Sequence, residues 1–155
     1  GIVQQMIADG KLSSGNLTLR AMIDDHVQAP RDATLLAVDL DRPFGYGRIL
    51  LDERQQVCGI VEEADATDAQ RAITTINSGI YCLNRRFLAD VLPRLTRSNA
   101  QGEFYFTDIV RIGYELGRAV DVVVALRHGR GGRAAGRARL FNRPGRAHGA
   151  GRSGG

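Results

Sequence analysis

Long hydrophobic runs, tryptophan and paired cysteines are scarce or absent in this sequence of 155 residues. No run approaches the roughly 18 apolar residues that a membrane-spanning helix needs, and the first residues lack the pattern of a secretory signal. Cys58 and Cys82 stand far apart, which is typical neither of a disulfide framework nor of a zinc site. We therefore expect a soluble, cytoplasmic protein in which both cysteines are small core or strand residues.

Acidic residues are also absent after Asp121. Residues 1–126 carry all 17 acidic residues and 13 of the 21 basic ones, whereas residues 127–155, the tail, carry the other 8 basic residues as arginines. The tail also holds 9 of the 19 glycines, and Leu140 and Phe141 are its only large apolar residues. We predict one folded domain over residues 1–126 and a disordered tail.

Before the tail, apolar residues recur every second residue in some segments and every third or fourth residue in others. This change of spacing along the chain is typical of an α/β domain, in which strands and helices follow one another. These spacings predict strands over residues 2–8, 33–40, 49–52, 57–62, 77–83 and 120–126, with a hairpin joining the third and fourth strands. They predict helices over residues 18–27, from 67, over 86–95 and over 107–116. Thr107 and Asp108 open the last helix and Gly117 ends it.

Three loops next to predicted strands have unusual compositions, and α/β sheets bind their ligands at such loops. Residues 43–48 place two glycines around a tyrosine, residues 60–63 end in two carboxylates, and residues 76–80 contain an asparagine. A glycine lets a ligand approach the backbone, a carboxylate accepts bonds from sugar hydroxyls, and an amide donates and accepts. A tight turn, a solvated strand end and an Asx-turn are the respective structural alternatives.

Four segments in order, GYGRI, GIVEEADAT, QRAITTINSGIY and NAQGEFYFTDIV, resemble the uridyltransferase domain of one bacterial family. This family is the bifunctional N-acetylglucosamine-1-phosphate uridyltransferase/glucosamine-1-phosphate acetyltransferase, and the resemblance covers about residues 9–126. It implies a Rossmann-like mixed sheet of the nucleotide-diphospho-sugar transferase type, truncated at its N-terminus. It also implies synthesis of UDP-N-acetylglucosamine for cell-wall and lipopolysaccharide production.

The resemblance further implies roles for individual residues. Gly47 would offer its backbone to the sugar nucleotide, Glu62 would accept bonds from sugar hydroxyls, and Asn77 would contact the N-acetylglucosamine moiety. Asp9, in the segment ADGKL, would be the ligand of a magnesium ion, with a surface turn as the alternative.

The segment GEFYFTD adds further candidates to the sugar side of the pocket. Glu103, Tyr105 and Thr107 would line it, and packing between strand and helix is their alternative role. For Phe104 and Phe106 we expect packing.

Some motifs of the family do not occur in this sequence. The glycine-rich LxxAAGxGTRM loop that holds UTP is missing, and so are the GVN asparagine that is the second metal ligand and the β-helical acetyltransferase half. One lysine against 20 arginines indicates a GC-rich coding sequence. We therefore interpret the tail as a shifted reading frame, do not propose Asn142 as a ligand, and expect an incomplete enzyme that is inactive alone.

The implied reaction is a direct displacement of pyrophosphate from UTP by N-acetylglucosamine 1-phosphate, so no catalytic nucleophile is predicted. Magnesium and positioned donors would stabilise the developing charge. The partners would be these small molecules, not a membrane, and the family assembles into homo-oligomers through the acetyltransferase domain. Two alternatives stay open: another sugar-1-phosphate nucleotidyltransferase, and a nucleic-acid-binding role for the tail, in which Phe141 is the only aromatic residue.

Overall fold

The structure, a computed structural model, describes residues 13–125 and 139–140, with side chains described for residues 19–125. The elements of these residues are, in chain order, α1 (Ser13–Gln28), β1 (Ala33–Asp39), β2 (Arg48–Leu51), β3 (Val57–Val61), α2 (Asp68–Arg71), β4 (Thr75–Leu83), α3 (Arg85–Val91), a 3₁₀ helix (Leu92–Arg94), α4 (Asp108–Glu115), β5 (Val120–Ala125) and β6 (Arg139–Leu140).

Every helix and strand predicted within these residues is present, with shifted ends. Helix α1 begins at Ser13 instead of residue 18, and β4 begins at Thr75 instead of residue 77. The helix predicted to reach residue 95 changes to a 3₁₀ turn after Val91, because Pro93 has no N–H to donate. The strand predicted over residues 2–8 lies outside the described residues.

The described strands form one mixed sheet in the order β3-β2-β4-β1-β5-β6. Strand β1 is parallel to β5 and antiparallel to β4, and β2 is antiparallel to both β3 and β4. The parallel pair requires a long crossover, which contains α3 and α4. The predicted α/β class with a mixed sheet is thereby confirmed.

Strand β1 lies at the centre of the core and is covered on both faces. Leu35 belongs to a buried cluster with Phe87 of α3 and Ile109 of α4. Leu36, the next residue along β1, packs on the opposite face with Met22 of α1. Burial on both faces explains why this strand is an almost continuous apolar run instead of an alternating one.

Strands β2 and β3 form the predicted hairpin at one edge of the sheet. Asp52 stabilises its turn, because one carboxylate oxygen accepts bonds from the N–H groups of Arg54 at 2.9 Å and Gln56 at 2.8 Å. The other oxygen accepts a 2.8 Å bond from the Tyr114 hydroxyl, which ties the hairpin to α4. The turn of the hairpin is therefore tied to the C-terminal end of α4.

Within the tail, the structure describes only Arg139 and Leu140, which pair with β5 as the short strand β6. The rest of the tail lies outside the described residues, so its disorder stays a prediction. Cys58 and Cys82 lie half-buried on β3 and β4 and are not joined by a disulfide, as predicted. Among the described residues, no helix is long and apolar enough to span a bilayer.

Candidate functional site

Three of the predicted site residues meet where the edge hairpin adjoins β4. The N–H of Asn77 donates a 2.8 Å hydrogen bond to the carbonyl oxygen of Gly47. A Cβ atom added to Gly47 would stand 3.2 Å from each carboxylate oxygen of Glu62 and 2.8 Å from Ile60 Cγ2. Gly47 therefore lies directly against the Glu62 carboxylate, and the loops that carry these residues form one site.

Thr107 contributes a fourth predicted residue through its hydroxyl, which donates a 2.8 Å bond to Glu62 Oε1. Thr107 stands at the N-cap position of α4, but its side chain makes no capping bond. The helix therefore opens at Thr107 as predicted, but the Thr107 side chain is not its cap. The hydroxyl is directed to a carboxylate 45 residues away in sequence, and this contact orients one oxygen of Glu62.

A bulge in β4 sets the orientation of Asn77. Leu36 pairs with Ile80, while the next residue, Ala37, pairs with Asn77, so two residues of β4 have no counterpart on β1. Gly79, one of these two, adopts a φ of +79°, a conformation that favours glycine. Its N–H donates a 3.1 Å bond to Asn77 Oδ1, so the Asx contact considered as an alternative does form.

Tyr81 joins this cluster, although the sequence interpretation assigned it no role. Its hydroxyl accepts a 2.7 Å bond from Asn77 Nδ2. Its ring packs edge-to-face on Phe106, with centroids 5.6 Å apart. Burial raises the pKa of Tyr81, the bond from Asn77 opposes this shift, and the charge of Glu62 adds to it.

A pocket of about 640 Å³ opens beside Glu62. It is lined by the end of β3, one face of α4 and the segment between α3 and α4, and its polar lining includes Glu62, Asp65, Asn99, Tyr105 and Arg111. The Tyr105 hydroxyl is buried near the Asp65 carboxylate. Burial raises the pKa of Tyr105, and the charges of Asp65 and Glu62 raise it further. The hydroxyl therefore remains protonated near neutral pH.

Glu103 and Phe104 of the GEFYFTD segment are not among the residues that line the pocket. The side chain of Glu103 is exposed, while its backbone N–H donates a 3.2 Å bond to Asn99 Oδ1. Phe104 is 57% exposed and stacks on the Arg97 guanidinium at 4.7 Å, so the expected packing between strand and helix was wrong for this residue. Phe106 is also largely exposed but does pack on Tyr81.

An ion pair that sequence reasoning missed connects the loops behind the site. The buried guanidinium of Arg48 bonds to the carbonyl oxygen of Tyr46 and forms a 2.6 Å ion pair with Glu63 Oε2. It also donates a 3.3 Å bond to the carbonyl oxygen of Arg71, in α2 before β4. The bond from Arg48 holds the pKa of Glu63 below its ordinary value. A single side chain thus links the loops of residues 43–48 and 60–63 to α2, and its only sequence signal was an arginine directly after the second glycine.

The metal prediction falls outside the described region, because Asp9 and Asn142 both lie there. Within residues 13–125 and 139–140, no group of three or more histidine, cysteine, aspartate or glutamate side chains could hold a metal ion. Asp9 therefore stays a predicted magnesium ligand.

Comparison with known proteins identifies a family profile and several relatives that this chain matches. The sequence profile described as "Nucleotidyl transferase" matches residues 7–125. A relative from Geotalea uraniireducens named "Bifunctional protein GlmU" is 45% identical over 76% of this chain and 25% of its own length. The protein of the same name from Pseudomonas syringae is 50% identical over 59% of this chain and 20% of its own length.

A third protein named "Bifunctional protein GlmU", from a Synechococcus strain, is 45% identical over 70% of this chain and 17% of its own length. These relatives confirm the resemblance predicted from the four segments. The chain spans at most a quarter of the length of these three relatives.

Among solved structures, a candidate glucose-1-phosphate thymidylyltransferase from Bacillus anthracis superposes with a TM-score of 0.50. It is 18% identical, and the match covers 67% of this chain and 40% of that protein. The likeness confirms the nucleotide-sugar transferase type of fold.

Proposed function

The chain belongs to the nucleotidyl transferase family, and on this premise we propose that it recognises the sugar in the formation of UDP-N-acetylglucosamine from UTP and N-acetylglucosamine 1-phosphate. One observation carries the proposal. The carboxylate of Glu62 is held between Gly47 and the Thr107 hydroxyl, in the same cluster as Asn77. This cluster offers carboxylate, amide and backbone groups, which are the groups that bind a sugar bearing hydroxyls and an acetamido substituent.

In the proposed reaction, an oxygen of the sugar phosphate attacks the α-phosphorus of UTP. A new phosphorus–oxygen bond forms, the bond to the bridging oxygen breaks, and pyrophosphate leaves. The residues of the site act by positioning, because holding the acceptor in line replaces a bimolecular encounter with an oriented one. Glu62 would fix sugar hydroxyls through Oε2, since Thr107 already occupies Oε1.

Magnesium would screen the repulsion between the two anionic reactants in this proposal. Asp9 is its predicted ligand. We also propose that the whole protein is cytoplasmic and assembles into homo-oligomers, as the resemblance to the family implies.

The test is calorimetric titration of the chain with UDP-N-acetylglucosamine, UDP-glucose and dTDP-glucose. We expect the first to bind most tightly, and Glu62→Ala or Asn77→Ala to weaken its binding by about 1–3 kcal/mol, or roughly 5- to 150-fold. Glu53→Ala is the matched control, because Glu53 is an exposed acidic residue of the β2–β3 turn. The proposal fails if the chain does not bind UDP-N-acetylglucosamine, if it prefers dTDP-glucose, or if the two site variants bind as the control does.

A further inference from the structure

The orientation of the Asn77 amide is determined by its neighbours. The N–H of Gly79 can only donate, so the Asn77 atom that faces it at 3.1 Å must be the oxygen, Oδ1. The amide nitrogen then points to the Tyr81 hydroxyl at 2.7 Å. Since Nδ2 carries two hydrogens, one is used by Tyr81 and the other remains available to a ligand.

We propose that Tyr81 is a positioning residue that holds the Asn77 amide so that its second N–H donates to an acceptor on the sugar, preferably the acetamido carbonyl oxygen. The inference rests on the proposed function and names a specificity-determining contact within it. Tyr81 itself touches Asn77 and is not required to touch the substrate.

Three contacts give Tyr81 the rigidity that this role needs. Its backbone pairs with Leu35 in the central part of the sheet, its ring is half-buried against the main hydrophobic cluster, and one ring edge packs on Phe106. The raised pKa of Tyr81 keeps its hydroxyl protonated at neutral pH. A hydroxyl that accepts from Asn77 therefore also carries its own proton, which it can donate.

The two sides of the site therefore offer different hydrogen-bonding groups. The β4 side presents a donor, the second N–H of Asn77, while the β3 side presents an acceptor, Glu62 Oε2. A carbonyl oxygen is a stronger acceptor than a sugar hydroxyl. A sugar with an acetamido group therefore matches the donor side better than a sugar with a hydroxyl at the same carbon.

The test compares Tyr81→Phe with Tyr114→Phe in the full chain. Tyr114 is the matched control, because its hydroxyl also takes part in a side-chain hydrogen bond, which it donates to Asp52 at the hairpin turn. We expect Tyr81→Phe to weaken binding of UDP-N-acetylglucosamine about fivefold, as for one lost hydrogen bond, and to weaken binding of UDP-glucose less. Tyr114→Phe should leave the ratio of the two affinities unchanged.

Nuclear magnetic resonance of the ligand-free chain provides an independent readout. The two Nδ2 hydrogens of Asn77 should give separate, well-resolved signals that shift and broaden in Tyr81→Phe but not in Tyr114→Phe. Unaltered signals in Tyr81→Phe, or an unaltered affinity ratio in a chain that does bind UDP-N-acetylglucosamine, would overturn the inference. A chain that does not bind this nucleotide would refute the proposed function, and the amide signals would still decide whether Tyr81 positions Asn77.

Discussion

Replacing Gly47 with alanine is expected to disturb both the fold and the site, because the added methyl group has no room. Its Cβ would stand 2.8 Å from Ile60 Cγ2 and 3.2 Å from both oxygens of Glu62. Among the residues that the structure describes, the glycines with positive φ are Gly45, Gly79, Gly102 and Gly117. Gly47 is not among them, so space alone, and not backbone conformation, requires glycine at this position.

The expected loss of stability depends on which groups must move to make room for the added methyl group. Ile60 is buried and β-branched, so its Cγ2 methyl can retreat only by a change in χ1 or a shift of β3. Such overpacking lowers the free energy of unfolding by about 1–3 kcal/mol. The Glu62 carboxylate would also be displaced from the Thr107 hydroxyl, so sugar-nucleotide affinity should fall together with stability.

Urea unfolding and calorimetry of the same samples measure the two effects. Gly59→Ala is the matched control, because a Cβ there would meet Arg111 Cβ at 3.8 Å and Leu50 Cδ1 at 3.9 Å, which are ordinary contacts. We expect the unfolding midpoint to fall clearly in Gly47→Ala and to change little in Gly59→Ala. If Gly47→Ala matched the wild type in both stability and affinity, the close approach of Gly47 to Glu62 would be refuted.

Three further predictions concern the scaffold and its ion pair. Phe87→Ala should lower the free energy of unfolding by about 3–5 kcal/mol, because this ring is fully buried; a loss below about 1 kcal/mol in urea titrations would contradict its place in the core. Asn84→Ala should lower the free energy of unfolding by about 1 kcal/mol, because Asn84 Oδ1 caps α3 by accepting a hydrogen bond from the Phe87 N–H at 2.8 Å. Unchanged thermal unfolding would argue against this cap. The lowered pKa of Glu63 should stabilise the fold above the ordinary pKa of a glutamate, with the gain lost as the pH falls through the lowered value. The free energy of unfolding, measured across this acidic range, should show this loss in the wild type and not in Glu63→Gln. An identical dependence on pH in both proteins would contradict the pairing with Arg48.

Much of the fold could be predicted from the sequence, because hydrophobic periodicity is local. The continuous apolar run of β1 predicted a strand covered on both faces, and the polar stretch between β2 and β3 predicted their hairpin. The ends of elements were less predictable. Thr107 has the sequence pattern of a helix cap, yet its hydroxyl bonds to Glu62, a partner that a local pattern does not contain.

The sequence by itself also identified the segments that form the candidate site, because the resemblance of four ordered motifs to one family implied Gly47, Glu62 and Asn77. Only the tertiary structure decided what each side chain does. Glu62 and Glu63 are adjacent and chemically identical, yet the first faces Thr107 and the second pairs with Arg48. The physical reason is that these contacts join residues far apart in sequence. They depend on the sheet order and on the bulge in β4, which follow from packing of the whole chain and not from any one segment.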